Sequence, residues 1–175
     1  MKGNIIFIGG IHGVGKGTLC KNIASELNVI HLSASDVLKW NDFTTDSTNK
    51  CVKDIQVTQN RLICNLRNII LPEKNYLLDG HFCLFNNEGI IEKIPDQTFI
   101  EINPIKLVLV TENPETICWR LEKRDEKKYD ATLLKQMQEM EKEHALHISK
   151  LLSIELFEIQ PNSIDKLKTI INNQI

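Results

Sequence analysis

The feature that most restricts the fold of this 175-residue chain is a glycine-rich segment between an apolar run and a helical pattern. Residues 5–8 are Ile-Ile-Phe-Ile, which is typical of a strand buried on both faces of a parallel sheet. The sequence Gly-Gly-Ile-His-Gly-Val-Gly-Lys-Gly-Thr follows at 9–18, and apolar residues then recur at helical spacing up to Leu27. A strand, a glycine-rich loop and a helix in this order predict a loop whose backbone N–H groups surround an anion.

The spacing within this segment is that of a phosphate-binding loop, because four residues separate Gly10 from Gly15 and Lys16 comes next. Glycines are required there because the backbone must turn its N–H groups inward, in conformations that a Cβ atom obstructs. The lysine is expected to reach the β- and γ-phosphates of a nucleotide. The predicted nucleotide-binding residues of the loop are Gly10, Gly13, Val14, Gly15, Lys16, Gly17 and Thr18.

The residue after the lysine departs from the usual loop, in which a serine or threonine hydroxyl at that position binds Mg²⁺. Gly17 has no side chain, so we expect the nucleotide phosphates to hold Mg²⁺ together with water molecules that carboxylates orient. Thr18 is then the hydroxyl available to the phosphates and the metal.

The rest of the chain alternates apolar runs with helical patterns, which is typical of βαβ units. Strands are predicted at 4–9, 29–32, 76–79, 105–110 and 154–159. Helices are predicted at 18–27, 52–71, 111–124 and 163–171, with a long helix that includes 133–151. We therefore predict an α/β fold of three layers, a five-stranded parallel sheet with helices on both faces, in a single domain, 1–175.

Two details of the helices carry specific predictions. Asn113 stands where an N-cap belongs and Pro114 at the first helical position, so a helix begins there. On the long helix, an apolar stripe either packs in the core or forms a subunit interface, and the sequence leaves the oligomeric state open. The stripe consists of Leu133, Met137, Met140, His144, Ile148 and Leu151.

Charge and composition exclude several classes of protein. Lys and Arg number 21 against 23 Asp and Glu, a net charge of -2, whereas a protein that follows a nucleic-acid backbone usually has a basic excess. No apolar run approaches the length of about 20 residues that spans a bilayer, and no cleavable signal pattern is present, so we expect a cytoplasmic protein without a membrane partner. Five scattered cysteines without a CxxC spacing predict neither a disulfide framework nor a zinc site.

Asp79 ends the apolar run 76–78 and is followed by Gly80. A carboxylate at the carboxyl end of a buried strand lies at the edge where open α/β sheets bind ligands, and it can order the water shell of a metal. Asp79 is therefore a candidate catalytic and metal-site residue, the alternative being an aspartate that only caps a helix.

Arg120 and Arg124 are four residues apart, so they lie on one face of a helix. Positioned arginines stabilise the negative charge that spreads over a phosphoryl group during its transfer. Both are therefore candidate catalytic residues, and Arg120 is also a candidate nucleotide-binding residue. The alternative is an ordinary solvated charged face.

The sequence Gly-Lys-Gly-Thr at 15–18 resembles the phosphate loop of adenylate kinases, a group of nucleoside monophosphate kinases. The segments Asp-Gly-His at 79–81 and Ile-Asn-Pro at 102–104, with the arginines of the following helix, are similar to the archaeal-type members. The resemblance implies a P-loop kinase fold that uses ATP and Mg²⁺, with a short lid at about 124–132. His12 stands where the family has proline, and it either faces the phosphates or is a bystander.

The resemblance also implies an acceptor-binding helical segment at about 33–71. Ser33 and Asp36 would line that site, Asp36 would help to order metal-bound water, and Lys39 would take the place of an arginine on the acceptor phosphate. The Phe-Pro-Arg that usually follows Asp-Gly is His-Phe-Cys here, so an arginine must come from elsewhere, for which Arg61 is the candidate. His81 would either contact the acceptor or a metal-bound water, or only pack.

The residues and the resemblance together predict an enzyme that transfers the γ-phosphoryl group of ATP to a nucleoside monophosphate, with AMP as the first candidate. Catalysis would rest on Lys16, Arg120, Arg124 and Asp79, and the partners would be small-molecule nucleotides rather than nucleic acid. Two alternatives stay open. The chain could be a P-loop kinase for another nucleotide or a small metabolite, or a binding module that a nucleotide switches.

Overall fold

The computed structural model describes residues 3–39, 55–86 and 88–172 of the chain, which alternate strands with helices. The strands are β1 (Asn4–Gly9), β2 (Ile30–Ser33), β3 (Asn75–Asp79), β4 (Cys83–Phe85), β5 (Ile91–Lys93), β6 (Lys106–Val110) and β7 (Leu156–Ile159). The helices are α1 (Lys16–Glu26), α2 (Ala34–Lys39), α3 (Ile55–Ile69), α4 (Asp96–Ile102), α5 (Pro114–Asp125), α6 (Ala131–Leu152) and α7 (Ile164–Asn172).

Five strands form a parallel sheet in the order β2-β3-β1-β6-β7, and β4 and β5 form a separate antiparallel hairpin. The run at 5–8 lies at the centre of the sheet and is buried on both faces, as its composition predicts. Ile6 and Ile8 pack in an apolar cluster with residues of α1, α5 and α7, whereas Ile5 and Phe7 pack with α3, α4 and α6. The three-layer α/β fold is therefore confirmed.

The register of the sheet places the carboxyl ends of β1, β2 and β3 next to one another. Ile8 of β1 and Ser33 of β2 both pair with Asp79, so the segments that follow β1, β2 and β3 leave the sheet side by side. Because β3 lies between β2 and β1, Asp79 stands between the glycine-rich loop and the start of α2. Ligands of open α/β sheets bind at this edge.

All five predicted strands of the sheet and the main helices are present, with ends shifted by a few residues. The first three positions of the helix predicted at 52–71, 52–54, lie outside the described residues. The start of α5 is confirmed, since Oδ1 of Asn113 accepts a hydrogen bond of 2.8 Å from N of Glu115. The hairpin β4–β5 and the short helix α4 were not predicted, because each has too few residues for a periodic pattern.

The buried face of α6 differs from the predicted stripe. Leu133 and Leu151 are 38% and 46% exposed, so they do not belong to the part of the stripe that packs in the core. Around Met137, His144 and Ile148, which are buried, the face instead continues through Leu134, Glu141 and Ala145. A search for apolar periodicity passes over a glutamate, so the sequence pattern indicates exposed leucines in place of Glu141. Among the described helices, none combines the length and the hydropathy needed to cross a membrane.

Candidate functional site

A cleft of about 950 Å³ opens at the carboxyl edge of the sheet. One side, the loop half, is lined by residues of the phosphate loop (9–18), α1 and α5. The other side, the helical half, is lined by the end of β2 and by α2, α3, β4 and α4. The segment 79–81 lies between the two halves. A cleft of this size with two differently built sides is large enough for two small ligands.

The phosphate loop adopts a conformation that side chains would disrupt. Gly10 and Gly13 have φ of 142° and 78°, a region that residues with a Cβ atom rarely adopt. A Cβ on Gly10 would lie 2.5 Å from the carbonyl oxygen of Val110, and one on Gly13 would lie 2.7 Å from Cγ of Leu121. The glycines at these positions are therefore required by the close approach of β6 and α5.

Several backbone donors of the loop have no partner among the described residues. The N–H groups of Gly13, Gly15, Lys16, Gly17 and Thr18 donate no hydrogen bond to any residue that the structure describes. Gly15 is the N-cap of α1 and provides no side-chain cap, so the first turn of the helix is open. Unpaired N–H groups at the positive end of a helix dipole form a site for an anion.

Lys16 is held over this loop. It is 6% exposed, and its Nζ donates hydrogen bonds of 2.6 and 3.1 Å to the carbonyl oxygens of Gly10 and Ile11. Burial lowers the pKa of Lys16, while the carboxylates of Glu141 and Asp79 act in the opposite direction. An ammonium group that bonds only to backbone carbonyls is positioned to exchange them for phosphate oxygens.

Arg120 and Arg124 both line the loop half, but their guanidinium groups have different partners. Arg120 donates to the carbonyl oxygen of Val14 at 3.1 Å and to Oε2 of Glu112 at 3.0 Å, so it braces the phosphate loop. Arg124 donates to both oxygens of Asp125, at 2.6 and 2.8 Å, and Tyr129 donates its hydroxyl to the same carboxylate. Hydrogen bonding from Arg124 lowers the pKa of Asp125.

Asp79 lines the cleft and has a partner that the sequence did not indicate. Its Oδ2 lies 3.1 Å from Nε2 of His31 on β2, and both side chains are largely buried. A Cβ added to Gly17 would lie 3.5 Å from the same oxygen, so the carboxylate faces the first turn of α1. Asp79 therefore lies beside the open N–H groups of the phosphate loop, where Thr18 also lines the cleft.

A family model described as "AAA domain", AAA_17, matches residues 9–149, which include the phosphate loop, Asp79 and both arginines. The chain belongs to this family. A solved structure described as an uncharacterized protein from Eubacterium ventriosum is similar to this AAA domain with a TM-score of 0.53 and 16% identity. The match covers 99% of this chain and 98% of the other, and it supports the fold.

Two curated relatives share shorter regions with this AAA domain. Adenylate kinase isoenzyme 1 of Rattus norvegicus is 30% identical over 135 residues, which are 71% of this chain and 66% of the relative. UMP-CMP kinase 2 of Caenorhabditis elegans is 50% identical over 36 residues, 21% of this chain and 19% of the relative. The chain thus spans about a fifth of the second relative and just under two thirds of the first. The family model and the structural likeness agree with the α/β fold described above.

The predicted acceptor residues do not all reach the cleft. Ser33 and His81 line it. Asp36 and Lys39 have side chains that are 77% and 69% exposed, lie 4.0 Å apart and are not part of the lining. Arg61 is exposed on α3 and is also outside the lining. The site roles of these residues stay predictions.

His12 and His81 come together between the two halves of the cleft. Both line it, and their ring centroids are 4.1 Å apart. Burial, followed by the charge of Lys16, lowers the pKa of His81 to about 3. Burial and the neighbouring His81 also lower the pKa of His12. Two neutral imidazole rings therefore stand next to the phosphate loop at neutral pH.

Glu141 of α6 is a residue of the site that sequence reasoning missed. It is fully buried, and its two carboxylate oxygens accept hydrogen bonds of 3.0 and 3.2 Å from N of Phe82 and N of Cys83. Its Oε1 also lies 3.6 Å from Nδ1 of His81, which has no hydrogen-bond partner among the described residues. Burial raises the pKa of Glu141 to about 7, although Lys16 favours its charged form. The carboxylate holds the turn after Asp79 behind the phosphate loop.

Proposed function

We propose that this AAA domain transfers the terminal phosphoryl group of ATP to a small acceptor held in the helical half of the cleft. A nucleoside monophosphate is the first candidate for the acceptor, with AMP as the first to test. The observation that carries the proposal is the set of five unpaired N–H groups around Lys16, open to a cleft that continues to a second, differently built side. The adenylate kinase and UMP-CMP kinase relatives support the same class of reaction.

The residues of the loop half would act by positioning and by stabilising charge. The backbone N–H groups would bind the phosphates, and Lys16 would leave the carbonyl oxygens of Gly10 and Ile11 to contact the terminal phosphate. Arg120 keeps the loop in place through Val14, and Arg124 would contribute its charge once it leaves Asp125. A phosphate acceptor is already anionic at neutral pH, so this reaction needs no general base.

The residues present also fit Mg²⁺, which a phosphoryl-transfer site of this kind requires. Mg²⁺ prefers oxygen ligands and keeps several water molecules, and the carboxylate of Asp79 and the hydroxyl of Thr18 both line the cleft beside the phosphate loop. The metal, when bound, would neutralise charge on the phosphates. Asp79 would orient its water molecules, and His31 would hold Asp79 in place. The water-ordering role of Asp36, whose side chain is exposed and outside the cleft lining, stays a prediction.

One observation favours a second candidate acceptor. The lining cations, Lys16, Lys21, Arg120 and Arg124, all belong to the loop half, and the described lining residues of α2, α3, β4 and α4 are uncharged. Among the described lining residues, an acceptor phosphate would therefore find cations only in the loop half, where the donor phosphates bind. A neutral acceptor with a hydroxyl group, such as a nucleoside or a small metabolite, is therefore the alternative.

The test is to incubate the protein with Mg-ATP and a panel of nucleoside monophosphates, nucleosides and small hydroxylated metabolites, and to identify the phosphorylated product by mass. Formation of a nucleoside diphosphate supports the first candidate, and formation of a monophosphate from a neutral acceptor supports the second. ATP that binds tightly, is not hydrolysed faster with any acceptor and yields no product would refute phosphoryl transfer.

A further inference from the structure

Two polar side chains in the helical half of the cleft are almost completely enclosed by apolar neighbours. Gln59 of α3 is 5% exposed and Thr98 of α4 is 4% exposed, and both line the cleft. The two helices pack against each other, so both residues belong to one wall. Polar side chains at this depth normally have hydrogen-bond partners in the protein.

Neither side chain has such a partner in the part of the chain that the structure describes. Within the described residues, the carboxamide of Gln59 and the hydroxyl of Thr98 form no hydrogen bond. They are also not among the polar atoms that are both unpaired and sealed from solvent, which in the described chain are Nδ1 of His81 and Nδ1 of His144. The polar atoms of Gln59 and Thr98 are therefore turned to the open cleft, where a ligand or water must satisfy them.

Asn65 shows what a purely structural amide looks like on the same helix. It is 2% exposed, and its Nδ2 donates a hydrogen bond of 2.7 Å to the carbonyl oxygen of Val37, which ties α3 to α2. Gln59 is similarly enclosed and lies six residues earlier on α3, yet no residue that the structure describes pairs with its side chain. A ligand that displaces water from the cleft must replace the hydrogen bonds of Gln59, because a buried polar group that is left without a partner costs free energy.

The surroundings define the shape and polarity of that ligand. Six lining residues pack in one apolar cluster, and they are Phe7, Leu62, Leu84, Ile94, Phe99 and Ile102. The rings of Phe7 and Phe99 meet edge to face, with centroids 5.3 Å apart. Such walls accommodate the flat faces of a ring, whereas a polyhydroxylated chain would lose hydrogen bonds to water along its whole length.

We propose that Gln59 and Thr98 select an acceptor that carries a nucleobase, whose polar edge bonds to these two side chains while its faces lie on the apolar walls. A carboxamide presents a donor and an acceptor side by side in one plane, and nucleobases present the same pair along their edges. The threonine hydroxyl supplies one further donor or acceptor. This inference rests on the proposed function only in treating the helical half as the acceptor side.

The experiment is equilibrium binding of neutral nucleosides, which contain the base but no phosphate, to the full chain by calorimetry. Adenosine, guanosine, cytidine and uridine are compared with a hexitol for the wild-type protein and for Gln59→Met and Thr98→Val. Each substitution is expected to weaken binding of the preferred nucleoside about 10-fold, the size of one lost hydrogen bond in an apolar site. The matched control is Gln97→Met, since Gln97 is an exposed residue of α4 outside the lining whose Nε2 bonds to Glu101 at 3.3 Å.

The outcomes separate this inference from the proposed function, because binding requires no turnover. Nucleoside binding that weakens in both variants and not in the control supports the inference even if no phosphoryl transfer is found. Unchanged nucleoside binding in both variants, or a hexitol that binds more tightly than every nucleoside, overturns it even if the protein proves to be a kinase. Thermal unfolding shows whether each variant is folded. If Gln59→Met does not fold, nucleoside binding by Thr98→Val decides between the two outcomes.

Discussion

The two halves of the cleft are built on opposite principles. In the loop half, the functional side chains are charged and each is bonded to the protein: Lys16 to carbonyl oxygens of the loop, Arg120 to Val14 and Glu112, and Arg124 to Asp125. In the helical half, the lining residues from α2, α3, β4 and α4 are uncharged, and its two most enclosed polar groups have no partner in the described chain.

This difference reflects what each half has to recognise. Phosphate groups are the same in every nucleotide, so cations and N–H groups that are already in place can bind them without further reorganisation. Acceptors differ in their hydrogen-bonding groups. A polar side chain such as Gln59 favours the ligand that pairs with it, because a ligand that leaves it unpaired binds with less favourable free energy. Under the proposed function, the loop half would provide affinity and catalysis, and the helical half would provide selectivity.

The largest effect is expected from removing the central cation of the loop half. Lys16→Ala should lower the rate of ADP formation from ATP and the preferred acceptor by about 10² to 10³-fold or more, since a preorganised group that stabilises the developing charge is lost. The assay is coupled ADP release under saturating Mg-ATP, with circular dichroism to verify the fold. Lys142→Ala is the control, because Lys142 pairs with Glu158 away from the cleft. Undiminished turnover in Lys16→Ala would contradict the assignment of catalysis to the loop half.

The loop half could be predicted from the sequence because its residues are close together in the chain and follow a fixed spacing. Gly10, Gly15 and Lys16 are within one loop, and their conformation follows from local backbone constraints. The position of Asp79 also follows from a local pattern, since a residue that ends a buried strand must lie at the edge of the sheet. Local patterns of this kind do not require the tertiary structure.

The helical half and the layer behind the loop could not be predicted in the same way. Gln59, Thr98 and Glu141 come from three helices far apart in the chain, and each is an ordinary polar residue in its own segment. Glu141 is one of four charged residues within 139–143, a composition that by itself indicates an exposed face. Packing of α6 against the turn at 81–83 decides that this glutamate alone is buried.

The next largest effect is expected on the pH dependence of stability, and it concerns Glu141, an ionisable residue buried behind the loop half. Its pKa is 4.5 ordinarily and about 7 in the folded protein, because burial disfavours the charged form. The folded state therefore holds the proton more tightly than the unfolded state, and stability falls as pH rises from 4.5 to about 7. The difference in pKa corresponds to about 3 kcal/mol of unfolding free energy at full effect.

Glu141→Gln removes this ionisation and keeps the size of the side chain. Urea unfolding of both proteins between about pH 5 and pH 8 should show that the wild type loses stability relative to the variant as pH rises. The variant also lacks one acceptor for the N–H groups of Phe82 and Cys83, which lowers its stability by an amount that does not vary with pH. Parallel stability curves would mean that the buried carboxyl does not titrate in this range.

A smaller effect is expected at Arg120, because the group braces the loop as well as lining the cleft. Arg120→Lys keeps the positive charge but cannot bond to Val14 and Glu112 at once with the planar geometry of a guanidinium group. The KM for ATP should rise about 10-fold, the equivalent of one or two lost charge-assisted hydrogen bonds, with a smaller change in kcat. A fall in kcat with an unchanged KM would instead give Arg120 a role in the transition state and not in holding the loop.

The smallest effect is expected at the ion pair of Arg124 and Asp125. It tests whether Asp125 keeps Arg124 away from the phosphates or orients it toward them. Arg124 is held by Asp125, which also accepts a hydrogen bond from Tyr129, and this pair is on the surface at the end of α5. If the pair withholds the guanidinium from the phosphates, Asp125→Asn frees it and ATP should bind about 2- to 5-fold more tightly, the range for an exposed ion pair. Calorimetry at low and high salt measures this, and the gain should shrink as salt screens the charge. Weaker binding in Asp125→Asn would show that Asp125 orients Arg124 toward the cleft, which makes the loop half preorganised at this residue too.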